Sequence, residues 1–280
     1  MNKRVLGTIY VFLSAILFAL GGLLIKVVPW SAISIQGGRS IFSLLIILLY
    51  MRITKHKFVF NKSVVIGGLL NFAMAITFVA ATKMTTAANA IVLQFTEPIF
   101  IILLMWIIYK VRPNKAAIIT CAIVFGGIIC FFFDSLSAGG MIGNILAIIS
   151  GLAYAFVFMI KKFPDSDFES SIVLSNILSI ALAIPSIAKE TELGMNVWLF
   201  VILLGLFQCG LSYVFLSKGL DLVTPVTASL VSTIEPILNP LLVACFYGER
   251  VGILAIIGAI MVVGSATIYS IYESKKTENE

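Results

Sequence analysis

Two apolar stretches with the same interruption decide the fold of this chain: residues 87–109, AANAIVLQFTEPIFIILLMWIIY, and residues 224–247, TPVTASLVSTIEPILNPLLVACFY. Each is long enough to cross a bilayer as a helix, because a hydrocarbon core of about 30 Å needs about 20 apolar residues. Each also carries a Glu-Pro pair near its middle, Glu97-Pro98 in the first and Glu235-Pro236 in the second. The matching positions of these pairs indicate an internal repeat.

The composition of the whole chain agrees with residence in a membrane. Of its 280 residues, 60% are hydrophobic and 11% are charged, whereas a soluble domain is about half apolar and about a quarter charged. The net charge of +6 does not indicate a nucleic-acid partner, because the Lys and Arg residues lie in short runs between apolar stretches and form no basic face. Most of the outer surface is therefore expected to face lipid.

We predict an all-α integral membrane protein with ten transmembrane helices. The predicted spans are 5–28, 33–51, 64–82, 87–109, 116–133, 141–160, 170–188, 197–217, 224–247 and 252–272. With the N-terminus in the cytoplasm, fourteen Lys and Arg residues fall on the cytoplasmic side and four on the other. Cytoplasmic loops carry an excess of these residues, so we expect a multi-pass protein of the cell membrane with both termini inside.

The repeat extends beyond the two Glu-Pro pairs. Shifting the chain by 138 residues aligns 89–126 with 227–264, and 13 of these 38 positions are identical. Near the start of each half a shift of 136 places Ser14 on Ser150. We therefore predict a five-helix repeat at 1–136, a second at 137–272 and a cytoplasmic tail at 273–280. Five is odd, so the second repeat enters the membrane from the opposite side, an inverted arrangement that many transporters use.

Three ionisable residues lie within predicted spans, Arg39, Glu97 and Glu235. Charged groups at this depth are costly and usually functional. Residues three or four apart share a helix face, and the faces that contain the glutamates read Ala90, Gln94, Glu97, Ile101 and Ala228, Ser232, Glu235, Asn239. We expect these two polar stripes to face each other across a central cavity.

The prolines add a second indication for the same place. Pro98 and Pro236 lack the N–H that would bind the carbonyl one turn earlier, at Gln94 and Ser232. Helices interrupted at matching positions of two halves indicate a transport site.

Structural roles for these polar residues remain alternatives. Each Glu could be protonated and bonded to a neighbouring helix, or could form an ion pair with Arg39. Asn71, Gln208 and Tyr213 are further candidates for contact with a substrate, but such residues also join helices to one another. The sequence has no Walker loop, no zinc-type histidine pair and no nucleophile elbow, so we predict no catalytic residue, no metal and no cofactor.

The same residues resemble the EamA-type branch of the drug/metabolite transporter superfamily. The resemblance rests on Ile234-Glu235-Pro236-Ile237 through Phe246-Tyr247-Gly248-Glu249-Arg250, on the same pattern from Glu97-Pro98 to Gly126, and on Arg39 in the second span. It covers about residues 5–272. One departure is the turn Lys110-Val111-Arg112, where the family often has a Glu before the Arg.

The resemblance implies a secondary carrier of small solutes, often an exporter of amino acids, nucleobases or drugs, with fifth and tenth helices at the periphery. We therefore expect a monomer or homodimer that exports a small metabolite by alternating access. Glu97 and Glu235 would lie in the cavity, with Arg39 as an anion site or counter-charge, and a gradient of protons or of another ion would drive transport. A flippase for lipids or lipid-linked sugars, a membrane enzyme and a helper subunit are the alternative functions.

Overall fold

The structure, a computed structural model, describes residues 3–110, 112–138, 140–223, 228, 231–232, 234–248 and 252–279. Within these residues the chain is helical and contains no β-strand. Val111, Glu249 and Arg250, which belong to the turns discussed above, lie outside the described residues.

Thirteen α-helices are described, and we number them in chain order. They are α1 (Lys3–Phe18), α2 (Leu20–Val27), α3 (Ala32–Thr54), α4 (Lys62–Met84), α5 (Ala87–Gln94), α6 (Glu97–Tyr109), α7 (Lys115–Ala138), α8 (Met141–Met159), α9 (Phe168–Ile187), α10 (Met195–Leu203), α11 (Ser212–Leu220), α12 (Glu235–Tyr247) and α13 (Ile253–Asn279). A 3₁₀ turn, Ile160–Lys162, extends α8, and a π-helical segment, Leu204–Leu211, joins α10 to α11.

Among the described residues, seven helical segments are long and apolar enough to cross a bilayer by length and composition. They are Lys3–Val27, Ala32–Thr54, Lys62–Met84, Ala87–Tyr109, Met141–Lys162, Phe168–Ile187 and Met195–Leu220. Three shorter apolar helices, Lys115–Cys130, Glu235–Tyr247 and Ile253–Tyr269, occupy the places of predicted spans five, nine and ten. The described residues therefore give seven full spans rather than ten. The 13 residues of α12 rise about 20 Å, which is less than the thickness of the hydrocarbon core.

Capping side chains set where several helices begin. The side chains of Ser31, Asn61, Thr86 and Asp167 each accept a hydrogen bond from the backbone N–H three residues later, at the start of α3, α4, α5 and α9. Such caps satisfy N–H groups that have no partner within the helix. At the other end, α12 stops at Gly248, whose φ of +73° lies in the left-handed region that glycine adopts without strain.

The helices pack in reciprocal pairs. In the first half α4 packs on α8 of the second half, and in the second half α11 packs on α1 of the first. The second and seventh spans, α3 and α9, pack on each other, as do α7 and α13. An exchange of partners of this kind is what a two-fold relation between the halves would produce.

One pair of hydrogen bonds repeats this relation in atomic detail. Ser150 Oγ donates to the Met74 carbonyl at 2.8 Å, and Ser14 Oγ donates to the Ser212 carbonyl at 2.9 Å. The two donors are 136 positions apart and the two acceptors 138 positions apart. These are the offsets of the sequence repeat, so corresponding residues of the halves make corresponding contacts.

The outward faces of the helices are apolar. Large exposed side chains include Ile107, Ile118, Phe125 and Phe246, each more than half exposed. A soluble monomer rarely exposes so much contiguous apolar surface. Buried polar residues, by contrast, lie along the inner faces of α3, α5, α9 and the π-helical segment, and this inner polar region contains the candidate site.

Candidate functional site

A cavity lies where the two halves meet and encloses about 360 Å³ of empty space, counting the part that is open to the outside. Its lining residues come from seven of the predicted spans, four in the first half and three in the second: Phe18, Arg39, Met74, Ala75, Phe78, Gln94, Tyr154, Gln208, Cys209, Tyr213 and Glu235. None of the lining residues belongs to α7 or α13, which correspond to the predicted fifth and tenth spans. The family resemblance implies a peripheral position for these two helices, away from the cavity. Five of the sequence-predicted site residues therefore meet at one cavity: Arg39, Gln94, Gln208, Tyr213 and Glu235.

Arg39 is almost fully buried and is held by neutral oxygens. Its Nε and Nη2 donate to Gln36 Oε1 at 2.9 and 2.5 Å, and its Nη1 donates to Gln208 Oε1 at 2.8 Å. A weaker contact of 3.5 Å joins Nη2 to the Ala75 carbonyl. Among the described residues no ion pair joins Arg39 to a carboxylate. The alternative in which Arg39 forms a structural ion pair with Glu97 or Glu235 is therefore absent from this conformation.

The two glutamines that hold Arg39 are themselves fixed. Gln36 Nε2 donates to Ser40 Oγ at 3.2 Å and to Ser179 Oγ of α9 at 3.1 Å. Gln208 lies in the π-helical segment, a helix form that is rare and often found at functional sites. A Cβ atom on Gly205 of this segment would lie 2.5 Å from the Arg39 carbonyl oxygen, so only glycine lets the segment approach α3 this closely.

The first helix break, between α5 and α6, is tied to its neighbours. Gln94 Nε2 donates to Ser150 Oγ of α8 at 2.7 Å, and Ser150 continues the chain of bonds to Met74 of α4. The Thr96 hydroxyl satisfies the Leu93 carbonyl at 2.7 Å. A Cβ atom on Gly151 would lie 2.6 Å from the Gln94 carbonyl oxygen, which shows how closely α8 packs on the break.

The second break, just before α12, is different. Glu235 is the first residue of α12 and is 4% exposed, and its Oε2 has no hydrogen-bond partner. Asn239, one turn further, is fully buried, and neither its Oδ1 nor its Nδ2 has a partner. Buried polar atoms nearly always have one. No hydrogen bond joins Ser232 to Ser14, although these residues correspond to Gln94 and Ser150.

The remaining predicted site residues lie off the cavity wall. Glu97 is fully buried at the start of α6 but does not line the cavity, and neither do Asn239 and Ser232. Asn71 also lies off the wall, where it accepts a bond from Tyr213 Oη at 3.1 Å and donates to Ser175 Oγ at 2.8 Å. Of the residues in the two predicted polar stripes, only Gln94 and Glu235 line the cavity.

Sequence reasoning missed three participants: Gln36, Ser150 and Tyr154. Gln36 lies one turn before Arg39 on the same helix face, a spacing that signals contact. Ser150 was visible as a residue shared by the two halves. Tyr154 gives no sequence signal, because an aromatic residue within an apolar span is ordinary.

Two polar groups outside the cavity fasten loops. The described residues include one set of metal-type side chains, His56, Asp167 and Glu169, whose ligand atoms lie within 4.8 Å of one another. His56 Nε2 lies 2.7 Å from Asp167 Oδ2, and Ser217 Oγ donates to Glu169. Asp167 thus joins His56 of loop 55–61 to the start of α9, and Glu169 joins α9 to α11.

The connection between α9 and α10 is fastened to the start of α3. Glu190 Oε1 accepts from the Ser31 N–H at 3.0 Å, and Trp30 Nε1 donates to the Glu192 carbonyl at 2.7 Å. Partial burial acts to raise the pKa of Glu190, but hydrogen bonds from Ser34 and Ser31 and the charge of Lys83 outweigh it, so the pKa lies below its usual value of 4.5.

Comparisons with known proteins agree with this architecture. The model of the EamA-like transporter family matches residues 5–133 and 141–271, which confirms the resemblance seen in the sequence. A protein of Archaeoglobus fulgidus named "uncharacterized transporter" is 26% identical over 202 residues, which cover 71% of this chain and 73% of that protein. Solute carrier family 35 member G1 of Homo sapiens is 26% identical over 298 positions, which cover 97% of this chain and 81% of that protein.

A solved crystal structure of another protein has the same fold. Its TM-score is 0.71 at 15% identity, and the alignment covers 96% of this chain and 98% of that chain. At this identity the likeness concerns the fold alone.

Proposed function

Because the chain belongs to the EamA-like transporter family, we propose that it is a secondary transporter that exports a small metabolite across the cell membrane by alternating access. The membership makes it a multi-pass membrane protein of the transporter type. The solute, the direction and the mechanism are our proposal.

The observation that carries the proposal is the charge in the cavity wall. Arg39 brings a permanent positive charge to a buried position where the neighbouring oxygens belong to amides. An isolated buried charge is costly, and a guanidinium binds carboxylates through paired N–H groups. A solute with an anionic group would offset that cost while it occupies the cavity. Among amino acids, nucleobases and drug-like molecules, this favours solutes that carry a carboxylate, such as amino acids.

The inverted repeat supports alternating access. Reciprocal packing of α4 on α8 and of α1 on α11 places the cavity on the boundary between the halves. If one half rocks against the other, residues on this boundary can face each side of the membrane in turn. The ten-span topology with both termini in the cytoplasm is part of this proposal.

Glu235 is the candidate coupling group. It lies in the cavity wall without a hydrogen-bond partner for Oε2, so its charge must be neutralised by something that enters the cavity. A cation moving down its gradient could thereby be exchanged for, or accompany, the solute. Glu97 is assigned a smaller role because it lies away from the wall.

Transport by the purified protein in proteoliposomes tests the proposal. Vesicles loaded with radiolabelled amino acids, nucleobases or organic cations are followed for efflux with and without an imposed ion gradient. We expect gradient-dependent efflux of a carboxylate-bearing solute, and its rate should fall at least about tenfold in Arg39→Gln, which loses a charged hydrogen-bond donor.

Lys57→Gln is the matched control, because it removes a positive charge from an exposed loop. Efflux at the wild-type rate by Arg39→Gln for every transported solute would overturn the site assignment. Absence of efflux for all three solute classes would overturn the choice of substrates.

A further inference from the structure

We propose that the second half contains a binding site for a monovalent metal cation, Na⁺, formed by Glu235, Asn239 and the backbone carbonyls of Ser232 and Pro236. The coupling role of this cation rests on the proposed transport function, but its binding does not. No Na⁺ site exists at the corresponding place of the first half.

The side-chain ligands are two buried residues one turn apart on α12. Glu235 Oε2 and Asn239 Oδ1 are both without a hydrogen-bond partner, and the residues are 4% and 0% exposed. Residues four apart on a helix lie on one face with Cβ atoms about 5–6 Å apart, a separation that two side chains can close around one ion. Glu235 also lines the cavity, so an ion can reach this position.

Two prolines add backbone ligands to the same face. Pro236 and Pro240 have no N–H, and the carbonyls that such groups would bind belong to Ser232 and Pro236. Positions 232, 235, 236 and 239 follow the spacing of a single helical stripe. Carboxylate, amide and carbonyl oxygens are the ligands of hard cations, and unwound backbone carbonyls coordinate Na⁺ in broken helices of transporters.

The first half shows what this position looks like without the site. Asn239 corresponds to Ile101, and Gly22, which packs against Asn239, corresponds to Phe158. Ile101 packs on the apolar cluster that contains Phe158. Where the first half has two apolar side chains, the second half has an amide beside a glycine. Such a replacement costs free energy unless the amide has a partner.

A cation accounts for more of the geometry than a proton does. Protonation would neutralise Glu235 and supply a single O–H donor, which can satisfy one oxygen such as Asn239 Oδ1 but leaves the freed carbonyls without partners. A single positive ion neutralises the carboxylate and satisfies the other oxygens together.

Thermal unfolding of the purified protein in detergent tests the site without any substrate. The melting temperature is compared in NaCl and in choline chloride, each at about 0.15 M so that screening is equal. A ligand that binds the native state raises the melting temperature, and we expect NaCl to raise it by about 3 °C or more relative to choline. An equal melting temperature in the two salts would overturn the proposal.

Three variants place the effect on the named residues. Glu235→Gln keeps the shape and removes the charge, and Asn239→Ile installs the residue of the first half. Gly22→Ala displaces the amide, because the new Cβ would lie 2.0 Å from Asn239 Oδ1. We expect each to abolish the difference between NaCl and choline. Thr120→Val is the control: it removes a buried hydroxyl of α7 that bonds to its own helix and should keep the sodium effect.

The outcomes separate this site from the proposed function. A sodium effect that persists in both Glu235→Gln and Asn239→Ile would show that Na⁺ binds elsewhere and would overturn the assignment. If one variant fails to fold, the other and Gly22→Ala decide. A sodium effect with the expected losses, in a protein that moves no solute in proteoliposomes, would keep the site and refute the transport proposal. Transport driven by a pH gradient alone, without a sodium effect on melting, would do the reverse.

Discussion

The two helix breaks occupy corresponding places in the halves, yet their surroundings differ. At the first break, Gln94 is tied through Ser150 to the Met74 carbonyl. At the second, the corresponding bond from Ser14 to the Ser212 carbonyl is present, but Ser232 does not reach it. A serine in place of a glutamine is too short to bridge the same gap. Both halves have the hydrogen bond from a serine hydroxyl to a carbonyl, Ser150 to Met74 and Ser14 to Ser212. Only the first half adds a bond from the residue before the break, Gln94, to that serine.

At the first break Gln94 is held by a hydrogen bond to Ser150, whereas at the second break Glu235 Oε2 and both side-chain atoms of Asn239 have no hydrogen-bond partner. We propose that the second break responds to what binds there and that the first acts as a support. The first three of the following experiments compare a residue at or near one break with its counterpart in the other half.

The largest effect is expected from the glutamates. Glu235→Gln should lower the transport rate about 10- to 100-fold, the cost of losing a charged partner at the binding site. Glu97→Gln should lower it only a few-fold, because Glu97 lies away from the cavity wall. Efflux from proteoliposomes measures both. Equal losses in the two variants would mean that both breaks take part in binding.

The next effect concerns the packing of α8 on the first break. Gly151→Ala should destabilise the protein by about 1–3 kcal/mol through overpacking, because the new methyl would lie 2.6 Å from the Gln94 carbonyl oxygen. The counterpart of Gly151 is Ala15, and Ala15→Gly should cost about 1 kcal/mol or less. Unfolding in detergent compares them, and a harmless Gly151→Ala would contradict the close contact.

A smaller effect is expected from removing the hydrogen bonds that Ser150 makes with Gln94 and with the Met74 carbonyl at the first break. Ser150→Ala leaves the Gln94 amide and the Met74 carbonyl without their shared partner, which should cost about 1–2 kcal/mol of stability. Ser232→Ala at the second break should cost less than about 0.5 kcal/mol. The comparison fails if Ser232→Ala destabilises the protein as much as Ser150→Ala does.

The smallest effect lies outside the breaks and tests whether the start of α3 is fastened independently of them. Because the pKa of Glu190 is lowered in the folded protein, its stabilising contribution is present above pH 4.5, the usual value, and is lost as the pH falls through the lower folded value. Glu190→Gln should therefore lower the melting temperature slightly at pH 7, and this difference should shrink as the pH is lowered below 4.5. A difference that does not shrink on acidification would show that the carboxylate charge is not responsible.

Much of the site could be predicted because its signals are local. Proline marks a break at a fixed distance from its own position, and the structure ends α5 at Gln94 and begins α12 at Glu235. Buried charge in an apolar span is equally direct, and Arg39 and Glu235 do line the cavity.

Other features depend on tertiary contacts that the sequence does not encode locally. The same Glu-Pro pair gives a cavity residue in one half and a residue behind the wall in the other, since packing fixes the rotation of the half-helix. An ion pair between Arg39 and a glutamate was one alternative that the sequence left open, and in the structure Gln36 and Gln208 bind Arg39 instead. Of the predicted span 224–247, the structure describes the 13-residue α12 after the break, while most of the part before the break lies outside the described residues.

The π-helical segment, Leu204–Leu211, bears on the history of the chain. The offset between the halves is 136 at Ser14 and Ser150 but 138 at Met74 and Ser212, so the second half has gained two residues before this point relative to the first. A turn with i→i+5 bonding holds one residue more than an α-helical turn, and α4, the counterpart of this region, is α-helical throughout. The π-helical segment can therefore accommodate an inserted residue while the Ser212 carbonyl still accepts the hydrogen bond from Ser14. A duplicated protein can diverge in this way, by storing added residues inside a helix rather than in a loop.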